Sequence, residues 1–227
     1  MITAMNCSIG HTTLTEGLDD ATTSAVELWW PFTVPDPTDA QLNDLVAELN
    51  QRNLELVALN LYGGNLAAGD RGVLHDHDLP AAHLNAVERL HHLSGVNRFN
   101  LLLGRGGPTL TEAQVHRFAT VAHDIDQRFG GIVMVEPLSG LDDYPVRTLT
   151  DAATLLERAG AGGLLLDLYH LAVNDAVELD GVMPEHVQVA DHPGRGAPGT
   201  GELPLAKWVQ KLRDAGYRGH VAAEWLP

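Results

Sequence analysis

The alternation of short apolar runs with amphipathic helical patterns along all 227 residues predicts an α/β fold, a single (β/α)8 barrel of shortened form. Strand-like and helix-like segments follow one another from end to end. No linker, low-complexity stretch or composition break divides them, so residues 1–227 read as one domain. Eight runs have strand character, the number that closes such a barrel. Four runs in the second half each end on one oxygen-bearing side chain: IVMVE at Glu136, LLLD at Asp167, HVQ at Gln188 and HVAAE at Glu224. In a parallel barrel aliphatic residues fill the strand interiors while polar groups at the carboxyl ends converge on one face. A repeated apolar run with a terminal carboxylate or amide therefore marks a functional rim.

Taken in order, the strands are expected near 5–9, 25–30, 54–61, 98–104, 131–136, 163–167, 186–190 and 219–224. Between the first two, only the nine residues 17–25 separate Glu16 from Val26, too few for a full helix with its connections. Thr38 and Gln41 form a capping-box pattern ahead of Leu42, Leu45, Val46 and Leu49 on one helical face. In the HDHD stretch 75–78, Asp78 is expected to cap the next helix, at whose end His91 and His92 favour the C-terminal dipole. Thr111 and Gln114 repeat the capping device before Val115, Phe118, Ala122, Ile125 and Phe129. A further helix runs from about Leu149 to near Gly160, and another carries Leu205, Trp208, Val209 and Leu212 before Gly216. The chain ends at Pro227, three residues after Glu224, so no eighth helix is expected. The reduced first helix and the missing eighth fall on the same side of a closed barrel. That wall is expected to expose apolar strand surface, to be covered by another subunit of a homo-oligomer.

Composition limits the partners. With 14 Lys plus Arg against 30 Asp plus Glu, the net charge of −16 repels a nucleic-acid backbone and favours a small-molecule substrate. The single cysteine, Cys7, excludes an intramolecular disulfide. No basic segment followed by an apolar stretch opens the chain, which fits a cytoplasmic protein. No apolar run approaches the roughly 20 residues that cross a bilayer.

Three carboxylates and one amide carbonyl, with no thiolate, suit a hard divalent ion, Mg2+ or Mn2+, though Zn2+ or Co2+ can also bind such a set. Further motifs carry a resemblance: the N-x-S strand of Asn6 and Ser8, AVEL in the second strand, VEPLSG around Glu136 and DLYH from Asp167 to His170. HVQVAD around Gln188, the loop GRGAPGTGEL and the closing GYRGHVAAEW complete it. In this order and spacing they resemble the xylose isomerase-like TIM barrel superfamily, and within it the hydroxypyruvate isomerase family, over nearly the whole chain. The resemblance implies metal ligands at Glu136, Asp167, Gln188 and Glu224. Gln at the third place resembles the hydroxypyruvate isomerase branch, whereas the ketose epimerases use His there.

The implied activity is a metal-dependent aldose–ketose type isomerisation of a small unphosphorylated hydroxy-carbonyl compound, hydroxypyruvate to tartronate semialdehyde being the named candidate. Glu136 and Glu224 are expected to move the proton between neighbouring carbons, with Asp167 and Gln188 as ligands alone. His170 matches the family's histidine that contacts a substrate oxygen; the alternative is a histidine that satisfies a loop carbonyl. Arg195, in the glycine-rich loop, can grip a substrate carboxylate or hydroxyl, or be solvated. Asn6 is expected to donate a hydrogen bond into the mouth, Trp29 to Phe32 to form an apolar wall, and Glu202 to hold the loop in shape. Gly104 to Pro108 lacks the Lys and Ser/Thr of a phosphate loop and reads as a turn. The alternatives are an epimerase or dehydratase on the same site, or a non-catalytic barrel serving in binding or assembly. An abasic-site endonuclease of the same superfamily needs more strand-end histidines and a basic surface.

Overall fold

The computed structural model describes residues 2–226. Eight parallel strands close into a barrel in chain order: β1 Ala4–Asn6, β2 Ala25–Leu28, β3 Glu55–Asn60, β4 Arg98–Asn100, β5 Ile132–Val135, β6 Gly163–Asp167, β7 His186–Val189 and β8 Val221–Ala223. The last strand returns to pair with β1. Every strand lies within the run expected for it except β1, which begins one residue early. Most are shorter than their runs because apolarity reports burial rather than ladder pairing. After β4, Leu101, Leu102 and Leu103 are all buried yet lie outside the strand.

Register places the polar strand ends at one level. Asn6 pairs with Glu27, Asn60 with Asn100, and Asp167 with Gln188. Because strand side chains alternate in direction, residues two back from this layer, such as Ala4, Ala25 and Ala222, fill the barrel beneath it as a small apolar cluster.

Seven helices surround the barrel: α1 Leu14–Asp19, α2 Asp39–Gln51, α3 Ala81–Ser94, α4 Glu112–Phe129, α5 Leu149–Ala159, α6 Leu168–Val173 and α7 Leu205–Asp214. The first is reduced to six residues, as expected, but it starts upstream of the interval 17–25, on a capping box of Thr13 and Glu16. Thr38, Thr111 and Thr148 cap α2, α4 and α5 in the same way. Each satisfies backbone N–H groups that a helix start leaves without partners. Asp78 does not cap α3. That helix begins behind Pro80 with no side-chain cap, and Asp78 instead pairs with Arg117 at 3.0 Å. His91 and His92 do occupy its last turn.

No helix follows β8 among the described residues, and the chain end at Pro227 lies outside them. The wall at β8 and β1 is nevertheless covered. Its outward-facing residues Met5, Val221 and Ala223 are 8%, 0% and 5% exposed. Met5 shares a core cluster with Leu18 of α1, and Val221 shares one with Val209 and Leu212 of α7. The expected exposed strand surface is therefore absent, and this wall supplies no reason for a covering subunit. Among the described residues no helix is long and apolar enough to cross a membrane.

Candidate active site

Every strand delivers one polar side chain to the carboxyl end of the barrel: Asn6, Glu27, Asn60, Asn100, Glu136, Asp167, Gln188 and Glu224 in order. Glu136 and Glu224 stand one residue beyond their strands. Both are buried, as are Asp167 and Gln188. Asp167 also caps α6, accepting from the N–H groups of Tyr169 and His170, so the loop after β6 turns straight into a helix. That turn brings His170 back over the site. A cavity of about 630 Å³ opens above the rim, lined by Glu136, His170, Arg195 and Glu224 together with Trp29 and Arg71.

The sequence-derived residues converge, with changes of role. Glu136, Asp167 and His170 each offer a ligand atom within 4.8 Å of the others, so His170 joins the acidic cluster rather than standing apart from it. Its Nδ1 lies 2.7 Å from Ser139 Oγ, and its Nε2 lies 2.9 Å from Arg195 Nη1. Arg195 is neither solvated nor free: its Nη2 donates to Asp167 Oδ2 at 2.8 Å and to Glu224 Oε2 at 2.5 Å, and its Nε to the Glu224 carbonyl. Asn6 has no polar atom left for a substrate. Its Nδ2 donates to Glu27 and Glu224, and its Oδ1 accepts from the N–H groups of Ser8 and Ile9. It positions Glu224, as does Trp29, whose Nε1 donates to Glu224 Oε1 at 2.9 Å. Glu202 is exposed, and the glycine-rich loop is instead organised by Asp191, which accepts from the N–H groups of His192, Gly199 and Leu203.

Two site residues, Glu27 and Asn100, are not singled out by the sequence. Glu27 is buried beneath the rim and accepts from Asn6 and from Gln188 Nε2, while its other oxygen meets His186 Nε2 at 2.5 Å. Asn100 Nδ2 donates to Glu136 Oε2 at 2.7 Å. AVEL offered one signal for Glu27, a charge inside an apolar run.

The donor set fits a divalent ion. Gln188 Oε1 is buried without a hydrogen-bond partner among the described residues, an acceptor left for a cation once Glu27 has engaged the amide nitrogen. The cluster of Glu136, Asp167 and His170 supplies two hard carboxylates and an imidazole nitrogen, and Arg195 supplies positive charge between Asp167 and Glu224. Burial and the charges of Glu224 and Asp167 hold the Glu136 carboxyl well above its usual range, against the pull of Arg195 and Asn100. Burial likewise pushes Glu224 up to about 7, opposed by Arg195 and assisted by Glu27. At Asp167 burial is outweighed by Arg195, His170 and the Tyr169 N–H, which keep it below the usual carboxylate range. Burial lowers His170 to about 4, so it is neutral at pH 7. One rim thus holds an ionised carboxylate beside two that readily take a proton.

A family model described as xylose isomerase-like TIM barrel matches residues 20–227. The chain belongs to that family. Within the xylose isomerase-like barrels it is 32% identical to a Streptomyces coelicolor protein named "Putative hydroxypyruvate isomerase", covering 90% of this chain and 81% of that one. It is 26% identical to an Escherichia coli hydroxypyruvate isomerase, covering 84% and 80%. Among solved structures, one described as an AP endonuclease, family 2, from Brucella melitensis superposes with a TM-score of 0.81 at 24% identity, covering 100% of this chain and 94% of that one. A D-psicose 3-epimerase gives 0.74 at 16% identity, covering 100% and 85%. These two likenesses show the fold. The sequence relatives carry the name of an isomerase, and this member of the xylose isomerase-like family is an enzyme of that kind.

Proposed function

We propose that the chain is a divalent-metal-dependent isomerase of a small, unphosphorylated hydroxy-carbonyl acid, with hydroxypyruvate to tartronate semialdehyde as its reaction. The observation that carries this reading is the pair Glu136 and Glu224. Two buried carboxyls with elevated proton affinity face one cavity from β5 and β8. Scaffolding alone has no use for two such groups, whose burial costs stability.

Glu136, Asp167, Gln188 and Glu224 would hold the ion, with His170 adjacent. When bound, it would offset the negative charge that develops on the substrate's two oxygens. The chain's residues do the rest. One glutamate in its ionised form removes a proton from the hydroxyl-bearing carbon, leaving an enediolate, and the other delivers a proton to the neighbouring carbonyl carbon. The hydroxyl proton passes to the former carbonyl oxygen, so the product is an isomer with no atom gained or lost. Asn100 orients Glu136 through Oε2, while Asn6 and Trp29 orient Glu224 through Oε1. His170, with Nδ1 on Ser139 and Nε2 accepting from Arg195, holds that guanidinium over the site. Leu138 and Leu141 line the cavity beside Trp29 and limit water at the reacting carbons.

Glu136→Gln and Glu224→Gln test the reading. Each is expected to lower kcat by roughly 10²- to 10⁴-fold, with the circular dichroism spectrum kept. Turnover equal to the parent in both variants would sink the assignment.

A further inference from the structure

Arg71 lines the same cavity as Glu136, His170 and Glu224 but has no part in the network around them. It lies within the loop that follows β3, and that loop is built to hold it. Asp70 Oδ2 accepts from the Asn65 N–H at 2.7 Å, and Asn65 Oδ1 accepts from the Ala68 N–H at 3.1 Å. The Arg71 carbonyl accepts from the Gly104 N–H, and the Gly72 N–H donates to the Gly63 carbonyl at 2.9 Å. These bonds pin the base of the side chain to the segments after β3 and β4. Gly72 is required there. It has φ +97°, and a Cβ would sit 1.9 Å from the Leu102 carbonyl oxygen.

The guanidinium is half used. Nη1 donates to the carbonyls of Leu66 and Asp70, whereas Nε and Nη2 have no hydrogen-bond partner among the described residues. Nor does any described carboxylate pair with Arg71, in a chain whose acids outnumber its bases 30 to 14. Arg195, the other arginine on the cavity, is committed to Asp167 and Glu224. The edge left open on Arg71 presents two parallel N–H groups, the geometry that receives a carboxylate in bidentate fashion.

We propose that Arg71 is the carboxylate-binding residue of the site: its Nε and Nη2 take the carboxylate of a small 2-oxo or 2-hydroxy acid and select acids over neutral sugars. The proposal rests on the isomerase reading for the reacting end of that acid. It moves to Arg71 the carboxylate contact expected of Arg195.

Tartronate, which presents two carboxylates and a hydroxyl, one carboxylate for Arg71 and one for the metal end of the site, and cannot isomerise, is the probe. Its affinity is measured by calorimetry for the Mn2+-loaded parent, Arg71→Gln and Arg71→Lys, with Mn2+ affinity measured in parallel. Arg71→Gln is expected to weaken tartronate roughly 10- to 100-fold while Mn2+ affinity stays within twofold, and Arg71→Lys to recover part of the loss. KM for hydroxypyruvate should rise by a factor similar to that for tartronate, with kcat changing much less. Unchanged tartronate affinity in Arg71→Gln overturns the proposal, as does parallel loss of tartronate and Mn2+, which would make Arg71 a support of the loop. Tartronate binding that depends on Arg71 in a protein without hydroxypyruvate turnover upholds the subsite and removes the isomerase reading. Turnover indifferent to Arg71→Gln does the reverse.

Discussion

Glu27 joins three residues that are far apart in the chain. One oxygen accepts from both Asn6 and Gln188, and the other is shared with His186. Its effect on Gln188 is directional: with Nε2 donating to Glu27, the amide is fixed and Oε1 stays available as an acceptor. Glu27→Leu roughly keeps the volume but removes the acceptor, so the Gln188 amide loses the contact that fixes it. We expect Mn2+ affinity to fall about 10- to 100-fold, the range for groups that orient metal ligands. A Mn2+ titration followed by electron paramagnetic resonance measures it. Unchanged affinity would mean that Gln188 is held without Glu27.

Among the elements, capping decides where the helices start. Thr148 accepts from the Asp151 N–H, and the Asp151 carboxylate accepts from the N–H groups of Thr148 and Arg147. This box begins α5, whose buried face carries Ala152, Leu155 and Ala159. Removing it by Thr148→Ala is expected to cost about 1 kcal/mol. Asp78, which resembles a cap in the sequence, makes only an exposed ion pair to Arg117, so Asp78→Ala should cost less than about 0.5 kcal/mol. Urea unfolding of both variants checks the order, and equal losses would contradict the assignment. The short α1 has its own device. Gly17 stands where a Cβ would lie 1.8 Å from the Cys7 carbonyl oxygen, so glycine lets this helix lie close against the end of β1.

The whole molecule gathers acidic groups at one end of its barrel. Glu27, Glu136, Asp167 and Glu224 are all buried there, with Arg195 as the guanidinium among them. Such a concentration of carboxyls strains the fold until positive charge is added. A divalent ion that binds the folded chain and not the unfolded one therefore raises stability, by about 2.7 kcal/mol at a concentration 100 times its Kd. Thermal unfolding with Mn2+ and with a chelator should show a Tm several degrees higher in Mn2+. The difference should vanish in Glu136→Ala. An equal rise in that variant would place the stabilising ion elsewhere on a chain of net charge −16.

Much of this architecture is carried by local signals. Apolar runs, threonine caps and glycine stops depend on neighbours a few residues away, so the barrel and the starts of α2, α4 and α5 could be read from the chain alone. The carboxylates at 136, 167 and 224 and the amide at 188 were legible too, because each closes an apolar run. Other features depend on partners distant in sequence. Glu27 meets His186 across 159 positions, and the commitment of Arg195 to Asp167 and Glu224 spans 28 and 29. No local pattern encodes such pairings, so Arg195 reads as a substrate contact and Arg71 is not singled out. The residue types at the strand ends determine which chemistry the rim can support. Closure of the barrel alone decides which arginine is tied down and which keeps an open edge, because hydrogen-bond partners are assigned only when all eight strand ends meet.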